Sequence, residues 1–138
     1  MNEQNWETTD STQNILGYEC IMAETDYHGR HWKVWFTPEI PIHDGPWKLC
    51  GLPGLILKAE ADEGKYRFEA TGIETTNVPF PEKMYGHELS NRMKRKDMLK
   101  LQWTFYNNSG AQMNAEFGTS MQEVQLPEDF DLIETDYK

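Results

Sequence analysis

Apolar and polar residues alternate with a period of two along the first half of the chain and shift to a helical period in the second. Leu16, Tyr18, Cys20 and Met22 fall on one face and Glu19 on the other, which predicts a strand over 15–24. A second strand is predicted over 32–37, where Trp32, Trp35 and Phe36 place aromatic groups on both faces, so both faces call for cover. Between them, Asp26 to Arg30 carries turn chemistry, with Gly29 able to take positive φ, and makes a hairpin. A third strand spans 55–61, with Leu55, Leu57 and Ala59 on one face. A fourth spans 65–73, with Tyr66, Phe68 and Ala70 inward and Arg67 and Glu69 outward. Asp62-Glu63-Gly64 joins these two as a hairpin turn with its glycine left-handed.

The intervening residues 38–54 hold Pro38, Pro41, Pro46 and Pro53 together with Gly45, Gly51 and Gly54. That density excludes a regular helix or central strand. Ile40, Ile42, Trp47, Leu49 and Leu52 in the same stretch predict an ordered loop pinned by apolar groups. Around 90–107 Met98, Leu101 and Phe105 share a helical stripe with Leu99 and Trp103 beside it. Ser90 or Asp97 could cap the start, and Asn107, Asn108 and Gly110 mark the end. A last strand is predicted near 121–126. Polar residues 1–13, with Trp6 their only large apolar group, read as a flexible lead-in that holds at most an edge strand. These elements give a mainly β (α+β) fold: a curved antiparallel sheet of about five or six strands, consecutive strands adjacent, with one helix in the C-terminal half packed on one side. The boundaries are a lead-in over 1–13, one domain over 14–126 and an acidic tail over 127–138.

Composition narrows the function classes. The 23 acidic residues outnumber the 13 basic ones and leave a net charge of -10, so nucleic acid or an anionic membrane is repelled on average. No run reaches the ~18 apolar residues of a membrane-spanning helix. Five Trp, six Tyr and six Phe point first to an aromatic core and second to a platform for carbohydrate or another aromatic-binding ligand. Cys20 and Cys50 form no CxxC, which leaves a disulfide or two buried thiols open.

The run Cys50-Gly51-Leu52-Pro53-Gly54-Leu55-Ile56-Leu57 contains the letters GLPGLI. Upstream, Tyr18-Glu19-Cys20, Gly29-Arg30, Trp35 to Pro41 and Gly45-Pro46-Trp47-Lys48 keep the matching order. This stretch resembles the GLPGLI family of Bacteroidetes-type bacteria. The resemblance implies an exported protein, periplasmic, outer-membrane-associated or secreted. It supplies no catalytic residues, because no activity is established for that family. Its members carry further strands before the motif, so the chain is expected to be a piece of a longer precursor. The sheet edge left uncovered ahead of residue 15 would then be protected by self-association or by residues 1–13 or 121–138. Physically, Gly51 to Ile56 reads as one tight turn between two buried leucines, with Gly51 or Gly54 at positive φ and a strand beginning after it.

Candidate chemistry is sparse. His28 and His31 straddle a turn near Glu24 and Asp26, with His43 and Asp44 on the next loop, and are read as exposed side chains with no metal site. Arg92, Lys94, Arg95, Lys96 and Lys100 are read as a solvated helix face. No hydrolase, phosphate-binding or dinucleotide motif is present, and no cofactor is expected. The reading is a non-enzymatic binding or structural domain that holds a small molecule, lipid, peptide or envelope protein. The alternative is an enzyme or enzyme-accessory domain acting on glycans or peptides, with Arg30, Trp35 and Trp47 lining a cleft.

Overall fold

The structure is a computed structural model that describes residues 4–77, 93–117 and 131–136. The chain divides into two compact units, residues 1–77 and 78–138, where the sequence offered no boundary.

The first unit is an antiparallel sheet of five strands: β1 (Glu7–Ile15), β2 (Tyr18–Tyr27), β3 (Arg30–Thr37), β4 (Leu55–Ala61) and β5 (Tyr66–Glu69). The strands lie in sequence order and the sheet does not close. Two hairpins use two-residue turns with both φ angles positive: Leu16 at 54° with Gly17 at 86°, and His28 at 51° with Gly29 at 82°. Such turns match the right-handed twist of the strands they join. Gly64, at φ 93°, closes the third hairpin as expected, after Asp62 and Glu63 in the same left-handed region.

The polar lead-in is an ordered edge strand, the option allowed for residues 1–13, and it protects the sheet edge where a flexible segment was the main reading. Residues 7–15 form β1, which pairs with β2 and covers its edge. Nothing in their alternation announced this, because their side chains are almost all polar and exposed. β5 also ends at Glu69, short of the predicted residue 73.

A register shift between Trp35 and Phe36 inserts one extra residue into β4. The bulge reverses the alternation there. Leu55 and Leu57 therefore pack with Trp35, Cys20 and Ile15 on one face, while Ala59 pairs with Val34 on the other. The sequence had put Leu55, Leu57 and Ala59 together. Residues 38–54 lie over the face that carries Trp32 and Phe68, called here the loop face. Buried side chains at its heart include Ala23, Trp32, Val34, Phe36, Ile56 and Ala59.

The second unit contains α1 (Arg95–Phe117). It starts later than predicted and runs through Asn107, Asn108 and Gly110. Those residues cost a helix only about 1 kcal/mol each at most, which does not stop one already nucleated. Its buried contact is made by Leu99, 4% exposed, with Leu132 and the half-buried Trp103. The predicted stripe faces outward: Leu101 is 60% exposed and Phe105 51%. Arg95 bonds both Glu134 and Asp136. These bonds, that to Asp136 foremost, hold the guanidinium proton more firmly than usual. Among the described residues no helix is long and apolar enough to cross a membrane. The strand expected near 121–126, Ser90 and Arg92 lie outside the described residues.

Candidate functional site

The 38–54 loop is tied down mainly by its backbone. Leu55 N–H donates to the Ile40 carbonyl at 3.0 Å, Ile56 N–H to Asp44 at 3.1 Å and Gly51 N–H to His43 at 3.2 Å. Two residues from the N-terminal segment complete it. The Gln4 amide donates to the Lys48 carbonyl at 2.7 Å and accepts from Cys50 N–H at 3.1 Å. The Trp6 indole donates to the Cys50 carbonyl at 2.8 Å. Residues 4 and 6 are thus anchors, where polar composition had suggested a flexible lead-in. An isolated glutamine carries no sequence signal for the loop amides it will satisfy.

The GLPGLI stretch divides its work. Gly51 takes φ 91° as expected, and Leu52 is buried. Gly54 serves a different need: a Cβ there would lie 2.1 Å from the Thr37 carbonyl oxygen. Pro53 is exposed, Leu55 half-buried and Ile56 buried. Cys20 and Cys50 are free thiols. Burial is the main cause that pushes the Cys20 thiol pKa up, so its sulfur stays protonated and unreactive through neutral pH.

On the loop face the pinned loop presents an aromatic cluster. Trp47 sits at φ 58°, an unusual conformation for a bulky side chain, with an expected cost on the order of 1–3 kcal/mol. Its ring offsets that cost by packing: it tilts over Trp32 with centroids 5.5 Å apart and meets Tyr27 and His28 edge-on at 6.0 and 6.3 Å. Lys48 Nζ stands 5.5 Å from its centroid. Phe68 also stacks with Trp32, centroids 6.2 Å apart. Trp32 itself is fully buried, and among the described residues nothing accepts from its indole N–H. Sequence parity could have singled out Trp32 as the centre of this cluster, since it shares a face with Arg30 and Val34.

Arg30, Trp35 and Trp47 do not line one cleft. Arg30 is buried, pairs with Asp62 and stacks 4.5 Å over Tyr66, so it braces the β4–β5 turn. Trp35 lies three residues from Trp32 and hence on the opposite face, with Lys58 Nζ 4.2 Å from its ring centroid. Trp35 and Trp47 are both half-buried but belong to opposite faces, and Trp47 is the one on the loop face. His31 is engaged by acids: its Nδ1 lies 2.9 Å from Asp26 and its Nε2 3.9 Å from Glu24.

Beside the loop, a hollow of about 620 Å³ runs along β5. Ile42, Gly45, Pro46, Ile56 and Phe68 supply its apolar wall, and Arg67 and Glu69 its polar rim. Gly45 allows the close approach, because a Cβ there would meet Ile56 at 2.8 Å.

Residues 1–102 match the family model described as N-glycanase peptide, N-terminal domain, the PNGase F-II N-terminal domain. The chain belongs to this family. Among solved structures, that of PNGF-II in the P21 space group is 27% identical, with a TM-score of 0.50 over 67% of this chain. This chain corresponds to 16% of the length of that one. No curated protein matches it. The match to the PNGase F-II N-terminal domain overturns the GLPGLI assignment and, with it, the reading as a non-enzymatic envelope domain of unestablished activity. Six letters that encode one turn and one close approach satisfy a backbone requirement, so they did not identify the family.

Proposed function

We propose that this chain is a substrate-engaging accessory domain for N-glycan release from glycoproteins or glycopeptides. The observation that carries the proposal is the match of residues 1–102 to the N-terminal domain of an N-glycanase. The geometry is consistent with engagement without chemistry. Four carboxylates near the hollow and the hairpins pair with cations, Asp62 with Arg30, Glu24 with Lys33, Glu60 with Lys58 and Glu69 with Arg67, while Asp44 in the hollow accepts from Gly45 N–H. Trp47 and the hollow offer an aromatic and an apolar surface, the combination suited to gripping a ligand by its faces. A periplasmic, outer-membrane-associated or secreted setting belongs to the same proposal, because N-glycosylated acceptor segments are a feature of secreted proteins.

Titration calorimetry of the chain with an N-glycosylated peptide, paired with mass spectrometry of the released sugar, tests this. The expected result is saturable binding with no release by the chain alone. Absence of binding removes the proposal, and release by the chain alone replaces an accessory role with a catalytic one.

A further inference from the structure

The two edges of the sheet are built differently. β1 blunts its edge with a register break between Thr8 and Thr12 and with exposed polar and acidic side chains, both devices against pairing with another strand. β5 also carries exposed charges, on Arg67 and Glu69, and is four residues long, but it has neither a bulge nor a proline. Its register against β4 runs without a shift from Lys58↔Glu69 to Ala61↔Tyr66. Among the described residues no strand pairs with its outer side.

The direction of its backbone groups follows from one hydrogen bond. Ala70 N–H donates to the Leu57 carbonyl at 2.8 Å. In an antiparallel ladder, residues whose backbone groups bond across to the partner alternate with residues whose groups point away. Residues 70, 68 and 66 therefore address β4, and the N–H and C=O of Arg67 and Glu69 point outward. Two donors and two acceptors stand in a row two residues apart, a spacing that only an extended backbone matches. The hollow lies along this same edge, with Phe68, Ile42 and Ile56 on its wall.

We propose that β5 binds a short extended polypeptide segment by strand addition, and that the segment is the protein part of the glycosylated substrate. This rests on the accessory-domain reading above and names the element that does the gripping. The bound strand would exchange hydrogen bonds with Arg67 and Glu69 and turn alternate side chains, small or apolar, into the hollow. The Arg67–Glu69 ion pair, 3.8 Å apart and half-exposed, lies beside the new strand and tolerates either charge there. A second copy of this chain is the less suited occupant, since each copy brings a net charge of -10.

Proline at an edge position whose N–H faces outward removes that donor and leaves the inner ladder intact. Arg67→Pro and Glu69→Pro are therefore expected to keep the thermal transition within a few degrees of the parent. The same variants should weaken a glycosylated peptide, and its sugar-free twin, by at least tenfold. Phe68→Ser, which leaves the outward backbone groups in place, should weaken both peptides less than either proline does. If the parent binds the glycosylated peptide and the prolines leave that affinity unchanged, strand addition is wrong and the accessory reading stands. If the parent binds the glycosylated peptide but not its sugar-free twin, recognition is through the sugar and the proposal fails. If the parent binds neither, both proposals fall. A parent that sediments as a dimer, and becomes a monomer on Arg67→Pro, would assign the edge to a second copy.

Discussion

Gly54→Ala is expected to be the most damaging small substitution in the first unit. The added methyl would stand 2.1 Å from the Thr37 oxygen, 2.6 Å from the Thr37 carbonyl carbon and 2.9 Å from Pro38 Cα. All three are backbone atoms and none can rotate away. Relief requires moving the end of β3 from the start of β4, where Thr37 pairs with Leu55. Overpacking against a yielding side chain costs about 1–3 kcal/mol, so against paired backbone a loss on the order of 3 kcal/mol or more is expected. In a unit of this size that lowers the melting temperature by more than about 12 °C. Gly51→Ala is the matched control. Its φ of 91° is strained for alanine, yet the nearest atom to a new Cβ, Trp6 Nε1, is 4.0 Å away. Backbone strain alone should cost it about 1 kcal/mol. Equal melting temperatures for the two variants would show that the Thr37–Gly54 approach can open freely.

Trp32→Ala is expected to cost about 3–5 kcal/mol, the usual penalty for deleting a large buried ring. The ring is fully buried and bridges Trp47 to Phe68, so its loss also leaves Trp47 in a left-handed conformation with less to hold it there. Trp32→Phe separates ring from donor. It keeps an aromatic face toward both neighbours and removes an indole N–H that nothing accepts among the described residues. A buried donor without a partner carries a penalty of about 1–3 kcal/mol, and its removal returns part of what the smaller ring loses. Chemical denaturation should therefore find Trp32→Phe well under half as costly as Trp32→Ala. A phenylalanine variant as unstable as the alanine one would mean that the N–H is satisfied in solution by an ordered water.

Four of the five strands were legible because glycine position and alternation agree in their two hairpins. Gly29 and Gly64 mark turns, and the Leu55–Ala61 and Tyr66–Glu69 pair follows a period of two. β1 was hidden because an edge strand with solvent on its side chains needs no apolar alternation. The bulge in β4 was hidden because period-two counting assumes that no residue is inserted. The helix end was misplaced because asparagine and glycine are weak stops beside the stabilisation an established helix already has. At the candidate site, Trp47 was visible as an aromatic in a loop rich in proline and glycine. The anchors Gln4 and Trp6 were not, since their partners lie 44 to 46 residues away and bond through backbone groups common to every sequence. The hollow and the outward backbone of β5 are properties of register, which side-chain patterns only partly encode.

The anchoring by Gln4 and Trp6 gives the first unit an uneven time course. Every strand pairs with its neighbour in sequence, so the sheet can zip up hairpin by hairpin, with substantial loop closure needed only across residues 38–54 between β3 and β4. The loop's tie to residues 4 and 6 has the longest span among its hydrogen bonds, and it is made by side chains outside the β-ladders, so it can open without them. Each such opening takes the Gln4 acceptor from Cys50 N–H and the Gln4 donor from the Lys48 carbonyl while the β-ladders stay closed. Cys50 N–H should therefore exchange with solvent deuterium faster than the inward amides of β3, at a rate that rises when Gln4 is replaced by alanine and leaves β3 unchanged. The segment that presents Trp47 thus opens by way of the N-terminal residues without unfolding the sheet beneath it.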